Sequence, residues 1–247
     1  MEFLDIMGIS HRYMEILNPS TPEKIIKLGK LLKLEEGKRV IDFGCGCAEP
    51  LTLWAEEFGI TGIGIDISED FCDRARQKLA SSGLSDRIEI VCSNGADYIF
   101  EEGVFDAATC IGSTFIFGGC QQTLQVLKRA VHQNGRLGIG ETHWLSNQVH
   151  PVYAQKQTTT HTETELTQFA RDEGLELEYI IRASYDDWDR YISDGWYGLV
   201  RWLEDNPTHA DYEQVFKHFR ADQDDYLQFQ RQHMGWAMYC LAPRKSR

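Results

Sequence analysis

The stretch Val40-Ile41-Asp42-Phe43-Gly44-Cys45-Gly46-Cys47-Ala48-Glu49-Pro50 constrains the fold more than any other part of this chain. It joins a short apolar run to a glycine turn and then to a new helical pattern. Val40 and Ile41 read as the end of a buried strand, and Gly44 and Gly46 let the backbone turn sharply and a ligand come close. Pro50 falls in the first turn of a helix starting near Glu49, where its missing N–H costs nothing. The outline is a strand–loop–helix nucleotide site. Its pattern is Asp-x-Gly-x-Gly-x-Ala. A dinucleotide fingerprint, Gly-x-Gly-x-x-Gly, needs glycine where Glu49 stands, which argues against NAD.

The acid expected at the tip of the second strand is also present. Gly62-Ile63-Gly64-Ile65 reads as that strand and stops at Asp66, twenty residues beyond Gly46, the distance at which a βαβ unit places an acid to accept hydrogen bonds from a ribose diol. Ile67 follows it. Ser93-Asn94-Gly95-Ala96-Asp97, after a third strand at 88–92, offers small polar residues to an adenine edge. A fourth strand at 105–111 ends on Ile111 and runs into Gly112-Ser113-Thr114. The cofactor-binding candidates are therefore Asp42, Gly44, Cys45, Gly46, Asp66, Ile67, Asn94, Gly95, Ala96 and Ile111.

Helical patterns separate these strands. Leu51, Trp54, Ala55 and Phe58 form one, closed by Gly59, and Cys72, Ala75 and Leu79 another, capped by Ser68. A fifth strand at 136–140 leads to the turn Glu141-Thr142-His143-Trp144, residues 145–161 read as a surface loop, and Thr162-x-x-Glu165 is a capping box. Strands at 175–182 and 235–241 complete the count. The expected fold is α/β, a doubly wound, mainly parallel sheet of seven strands. It is read as a single domain over 1–247, with an N-terminal helical lid at 1–36 and a helical cap inserted at 184–233 before the last strand.

Charge and cysteine content narrow the function. Asp and Glu total 38 against 25 Lys and Arg, a formal charge of −13, which disfavours nucleic acid and anionic membranes as partners. No apolar run reaches the roughly 18 residues of a spanning helix, and the acidic start lacks the basic region of a signal peptide. Seven scattered cysteines fit reduced thiols, so the expected location is cytoplasmic. Cys45-x-Cys47 lacks a second Cys or His pair at zinc spacing, so no metal site is expected.

The glycine loop, Asp66, the 93–97 segment and Phe105-Asp106-Ala107-Ala108 together resemble the class I S-adenosylmethionine-dependent methyltransferases over about residues 37–141. Ala48 stands where the family carries a third glycine, and Asn94 where it carries an acid. Asn18-Pro19, Gly118-Gly119, Trp188-Asp189-Arg190-Tyr191 and Arg201-Trp202-Leu203-Glu204 extend the resemblance to a bacterial group of small methyltransferases. The resemblance implies S-adenosyl-L-methionine as cofactor and says little about the acceptor; the expected reaction is methyl transfer to a small-molecule O, N or S acceptor, by a monomer or homodimer. A metalloid acceptor held by Cys45 and Cys47, and a non-catalytic cofactor-binding subunit or sensor, are the alternatives.

Methyl transfer from a sulfonium is an in-line displacement, so alignment and exclusion of water dominate, and a base is needed only for a protonated nucleophile. Glu141, at the carboxyl end of strand five, is the first candidate for that base. His143 and His11 follow, because imidazole titrates near neutrality. Tyr13, Ser113, Thr114, Trp144, Tyr153, Trp188, Tyr191 and Trp196 are the candidate substrate-pocket residues, the aromatics by cation–π attraction or simple packing.

Overall fold

In the computed structural model, residues 1–148, 151–156 and 159–244 are described. The helices are α1 (Phe3–Ser10), α2 (Pro22–Leu31), α3 (Glu49–Phe58), α4 (Glu69–Ser81), α5 (Cys120–Ala130), α6 (Pro151–Lys156), α7 (Glu163–Asp172), α8 (Tyr185–Asp205), α9 (Tyr212–Asp225) and α10 (Arg231–His233). The strands are β1 (Arg39–Phe43), β2 (Thr61–Asp66), β3 (Ile88–Cys92), β4 (Phe105–Ile111), β5 (Val131–Trp144), β6 (His161–Thr162), β7 (Leu175–Arg182) and β8 (Met234–Pro243).

Strand β1 is central because all but its first residue are buried, and its period-two alternation feeds both faces of the sheet. Val40 joins Leu28, Leu51 and Trp54 on one face. Ile41 and Phe43 join Leu124, Leu127 and Leu166 on the other. The order is β3-β2-β1-β4-β5-β8-β7, with β8 antiparallel to both neighbours. β1 pairs with β2 on one side and β4 on the other, both parallel, so the chain reverses winding direction between β1 and β4. That reversal opens a crevice at the carboxyl ends of the strands, where open α/β sheets bind ligands.

The seven expected strands form this path, and a two-residue strand, β6, pairs with the end of β5. Strand β5 differs from expectation at both ends, and it begins at Val131, paired with Phe105 of β4, rather than at Arg136. Glu141–Trp144 is strand rather than turn, because β8 continues its antiparallel pairing as far as Trp144↔Met234. Alternation then puts Glu141 and His143 on one face and Thr142 and Trp144 on the other. The stretch 145–161, expected as a loop, carries the short helix α6; residues 149, 150, 157 and 158 within it lie outside the described residues.

Local caps follow the sequence signals. Thr21 accepts from Lys24 N at 3.3 Å ahead of α2, Ser68 caps α4, and Thr162 and Glu165 form the reciprocal box of α7. Helices α8 to α10 fill the chain between β7 and β8. Leu199, Leu203, Val215 and Phe219 pack there against Ile6 of α1. A Cβ on Gly198 would lie 2.5 Å from Ser10 O and 2.6 Å from Ile9 O, so a glycine in α8 lets the N-terminal helix seat directly on it.

Candidate active site

The turn after β1 is built by backbone geometry. Gly44 N and Cys45 N both donate to Ile65 O, at 2.8 and 3.0 Å, which ties the loop to the end of β2. Gly44 has φ +70° and Gly46 φ +55°, conformations that cost an L-residue about 1–2 kcal/mol. A side chain at Gly44 would also meet Ser113 at 2.5 Å, and one at Gly46 would meet Leu17 at 2.7 Å. Ala48 adopts the same left-handed conformation at φ +56°. Its methyl is fully buried, and burial of one carbon, worth about 0.8 kcal/mol, offsets much of that strain. Cys45 is equally structural: its sulfur fills the space that a Cβ on Gly64 would occupy, 2.8 Å away.

Asp66 locks the loop from the neighbouring strand. One carboxylate oxygen accepts from Gly46 N at 2.8 Å and the other from Ser68 N at 2.9 Å. Burial pushes its pKa up, while the amides of Ser68, Gly46 and Ile67 pull it back. Asp42, 1% exposed, accepts from the Thr109 hydroxyl at 2.7 Å, and burial raises its pKa to about 7. Cys45 and Cys47 are held protonated: burial raises both thiols, that of Cys47 to about 11.

Loop and acid open onto a cavity of about 390 Å³, within the range of small-molecule sites. Of the residues singled out in the sequence, Asp42, Gly44, Cys45, Gly46, Asp66, Ile67, Asn94, Gly95, Ile111, Ser113, His11 and Tyr191 line it. Asn94 closes a turn of its own, accepting from Ala96 N at 3.1 Å and donating to Asp97 at 2.9 Å. His11 and Tyr191 meet across the wall, with His11 Nε2 2.9 Å from the Tyr191 hydroxyl. His11 Nδ1 lies 3.0 Å from the carbonyl of Met7, which can only accept, so Nδ1 carries the proton and Nε2 accepts from Tyr191. Burial, followed by the nearby Arg74 charge, lowers the His11 pKa. Burial raises the Tyr191 hydroxyl to about 12.

The other candidates stand outside this wall. Glu141 accepts from the Thr114 hydroxyl and from Thr142 N at 2.8 Å, and burial raises its pKa. His143 is buried against Tyr239, 3.2 Å from its hydroxyl. Trp144 packs edge-on to Phe229, and Tyr153 stacks on Phe229. Trp188 stacks on Tyr226, and Trp196 donates to Asp222 at 2.7 Å. Tyr13 is half exposed beside Tyr197, and Ala96 lies on the outer side of its turn.

Sequence reasoning did not single out Phe3, Leu4 and Met7 of α1, nor Phe71 and Phe115, all of which line the cavity. An apolar residue on a helix carries no signal that separates packing from ligand contact. Asn18, which the resemblance marks together with Pro19, lines it as well.

The residues fit an adenosyl cofactor. Backbone at Gly44 and Gly46 is free of side chains beside the cavity, and the Asp66 carboxylate stands one strand away in the same lining. This arrangement on this sheet defines a class I S-adenosylmethionine-dependent methyltransferase, and the chain belongs to that family. The family described as a methyltransferase domain matches residues 40–135. The chain is 31% identical over 249 residues to YjhP of Escherichia coli strain K12, an alignment covering 99% of this chain and 100% of that protein. Two crystal structures in complex with S-adenosyl-L-homocysteine share its fold at a TM-score of 0.90. The SAM-dependent methyltransferase of Thiobacillus denitrificans is 30% identical over 99% of this chain and 100% of its own. That of Geobacter sulfurreducens is 31% identical over 97% and 98%.

Proposed function

We propose that the chain methylates a small molecule whose nucleophile must shed a proton, and that the Tyr191–His11 pair receives it. The observation that carries this reading is that the pair lines the same cavity as Gly44, Gly46 and Asp66. When bound, S-adenosylmethionine supplies an electrophilic methyl group on a sulfonium. Asp66 would hold the ribose diol, and the side-chain-free turn at Gly44 and Gly46 would lie against the cofactor. Residues 1–36 act as a lid: Phe3, Leu4 and Met7 of α1 cover the cavity and exclude water. The 184–233 helices act as the cap that carries Tyr191. The Tyr191 oxygen takes the acceptor's proton as its own passes to His11 Nε2, whose neutral form the Met7 carbonyl orients. Glu141, bonded to Thr114, acts as a positioning residue that holds the Ser113–Phe117 turn against the cavity. The protein works in the cytoplasm, a reading supported by seven free cysteines; among the described residues no helix is long and apolar enough to cross a membrane.

The test begins with a metabolite-extract screen for S-adenosylhomocysteine formation to obtain an acceptor. Tyr191→Phe is then expected to lower kcat by about 10²–10⁴. Binding of S-adenosylhomocysteine by calorimetry should move by less than about threefold, under 1 kcal/mol. Undiminished turnover would remove the pair from the chemistry.

A further inference from the structure

The cavity's chemistry narrows the acceptor. We infer that it is an uncharged, mainly apolar molecule with one acidic hydroxyl, a phenol or enol, and that acceptors bearing a carboxylate or phosphate are turned away. This rests on the methyltransferase reading above and on Tyr191 and His11 as its base.

Charge is the first ground. Among the described residues lining the cavity there is no Lys or Arg, whereas Glu15, Asp42, Glu49 and Asp66 are acids. The cations that touch its wall are committed elsewhere. Arg74 donates to the carbonyls of His11 and Met14, at 3.2 and 2.6 Å, and Lys78 is shared between Glu15 and Glu49. An acceptor's carboxylate or phosphate would lose water and meet no cationic side chain of this wall, at a cost of several kcal/mol.

Shape and polarity are the second. Phe3, Leu4 and Met7 from α1, with Phe71 and Phe115, give the wall an apolar side suited to rings or alkyl chains. Asn18, buried in the same wall, has a side-chain oxygen with no hydrogen-bond partner among the described residues. A buried amide oxygen left without a partner accepts from a neutral donor such as a hydroxyl.

The base supplies the third. A neutral amine attacks through its lone pair and sheds its proton to solvent afterwards, whereas a phenol that enters this wall uncharged has to give up its proton inside it. An aliphatic alcohol is too weak an acid to surrender its proton through a tyrosine. A phenol, with a pKa of about 10, gives its proton up readily along that route. In the step, the bond from acceptor oxygen to methyl carbon forms as the carbon–sulfur bond breaks, its electron pair staying on sulfur. The hydroxyl proton moves to Tyr191 and the Tyr191 proton to His11 Nε2.

The test uses the purified full chain with S-adenosylmethionine and matched probes: 4-propylphenol and two other neutral alkylphenols, against 3-(4-hydroxyphenyl)propionate and 4-propylphenyl phosphate. Neutral phenols should yield S-adenosylhomocysteine with kcat/KM at least about 100-fold above the carboxylate. Met7→Lys, which places a cation in the wall, should narrow that ratio at least about tenfold. Equal or better use of the anionic probes would overturn the inference. So would failure of every neutral phenol while calorimetry shows S-adenosylhomocysteine bound. Loss of that binding would instead overturn the methyltransferase reading itself.

Discussion

Asp66→Ala and Asp66→Asn are expected to weaken S-adenosylhomocysteine binding by about 10- to 150-fold, and the amide should fare no better than the methyl. A hydrogen bond from a ribose hydroxyl to a carboxylate is worth about 1.5–3 kcal/mol, which converts to that range at 1.4 kcal/mol per tenfold. Asparagine is nearly isosteric, yet it does not rescue this position. Gly46 N donates to one carboxylate oxygen and Ser68 N to the other, so an amide NH₂ faces a backbone donor whichever way it is turned. The asparagine variant therefore loses charge and also pushes against the glycine turn that Asp66 holds in place. Calorimetry with S-adenosylhomocysteine measures the affinity, and circular dichroism checks that each variant folds. An asparagine variant that folds and binds within about threefold of the native protein would refute this reasoning about the loop.

Three further outcomes follow from other parts of the molecule. His11, which faces the Tyr191 hydroxyl, the Met7 carbonyl and the Arg74 charge, has its pKa lowered from 6.5 and is neutral at and above that pH. The acid limb of kcat/KM should therefore fall below pH 6.5, and a limb centred above it would remove His11 as the proton's destination. Asp42, raised from 3.8 to about 7, binds a proton in the folded state that the unfolded chain has released across that window. Its stabilising contribution is thus present at low pH and lost as pH rises to about 7. In urea titrations Asp42→Asn should gain on the native protein between pH 4 and 7 by up to about 4 kcal/mol, then run parallel above it; curves parallel throughout would contradict the burial argument. Gly198→Ala should accelerate amide exchange in residues 3–10 without unfolding α8, since alanine favours helix by about 1 kcal/mol while its Cβ collides with Ser10 O. Unchanged exchange there would mean that α1 is held by something other than this contact.

The parts of the site legible in the sequence are those whose geometry is local. Gly44, Gly46 and Asp66 belong to one strand–loop–helix–strand unit, and the distance between them is set by the length of a single helix. The long-range parts were less legible. His11 and Tyr191 were each named from residue type, yet their contact spans 180 residues and depends on α1 seating on α8. The aromatic run after Tyr185 gave no indication of which ring would face inward. Helical phase sends Trp188 to Tyr226 and Trp196 to Asp222, and leaves Tyr191 at the cavity. Glu141 and His143 read as a turn because nothing in their own sequence announces the antiparallel partner, β8, that extends the strand through them.

The seating of Ile9 and Ser10 on Gly198 also has a consequence for how the protein is made. A ribosome that has released only the first half of the chain has already delivered the glycine turn, Asp66 and both strands that tie them together. The first helix, though synthesised before any of these, must wait with its apolar side uncovered until α8 emerges to receive it. Chains interrupted before residue 191 would thus carry the glycine turn and Asp66 but neither Tyr191 nor the α8 surface on which α1 seats, and the apolar face of α1 would stay open to solvent.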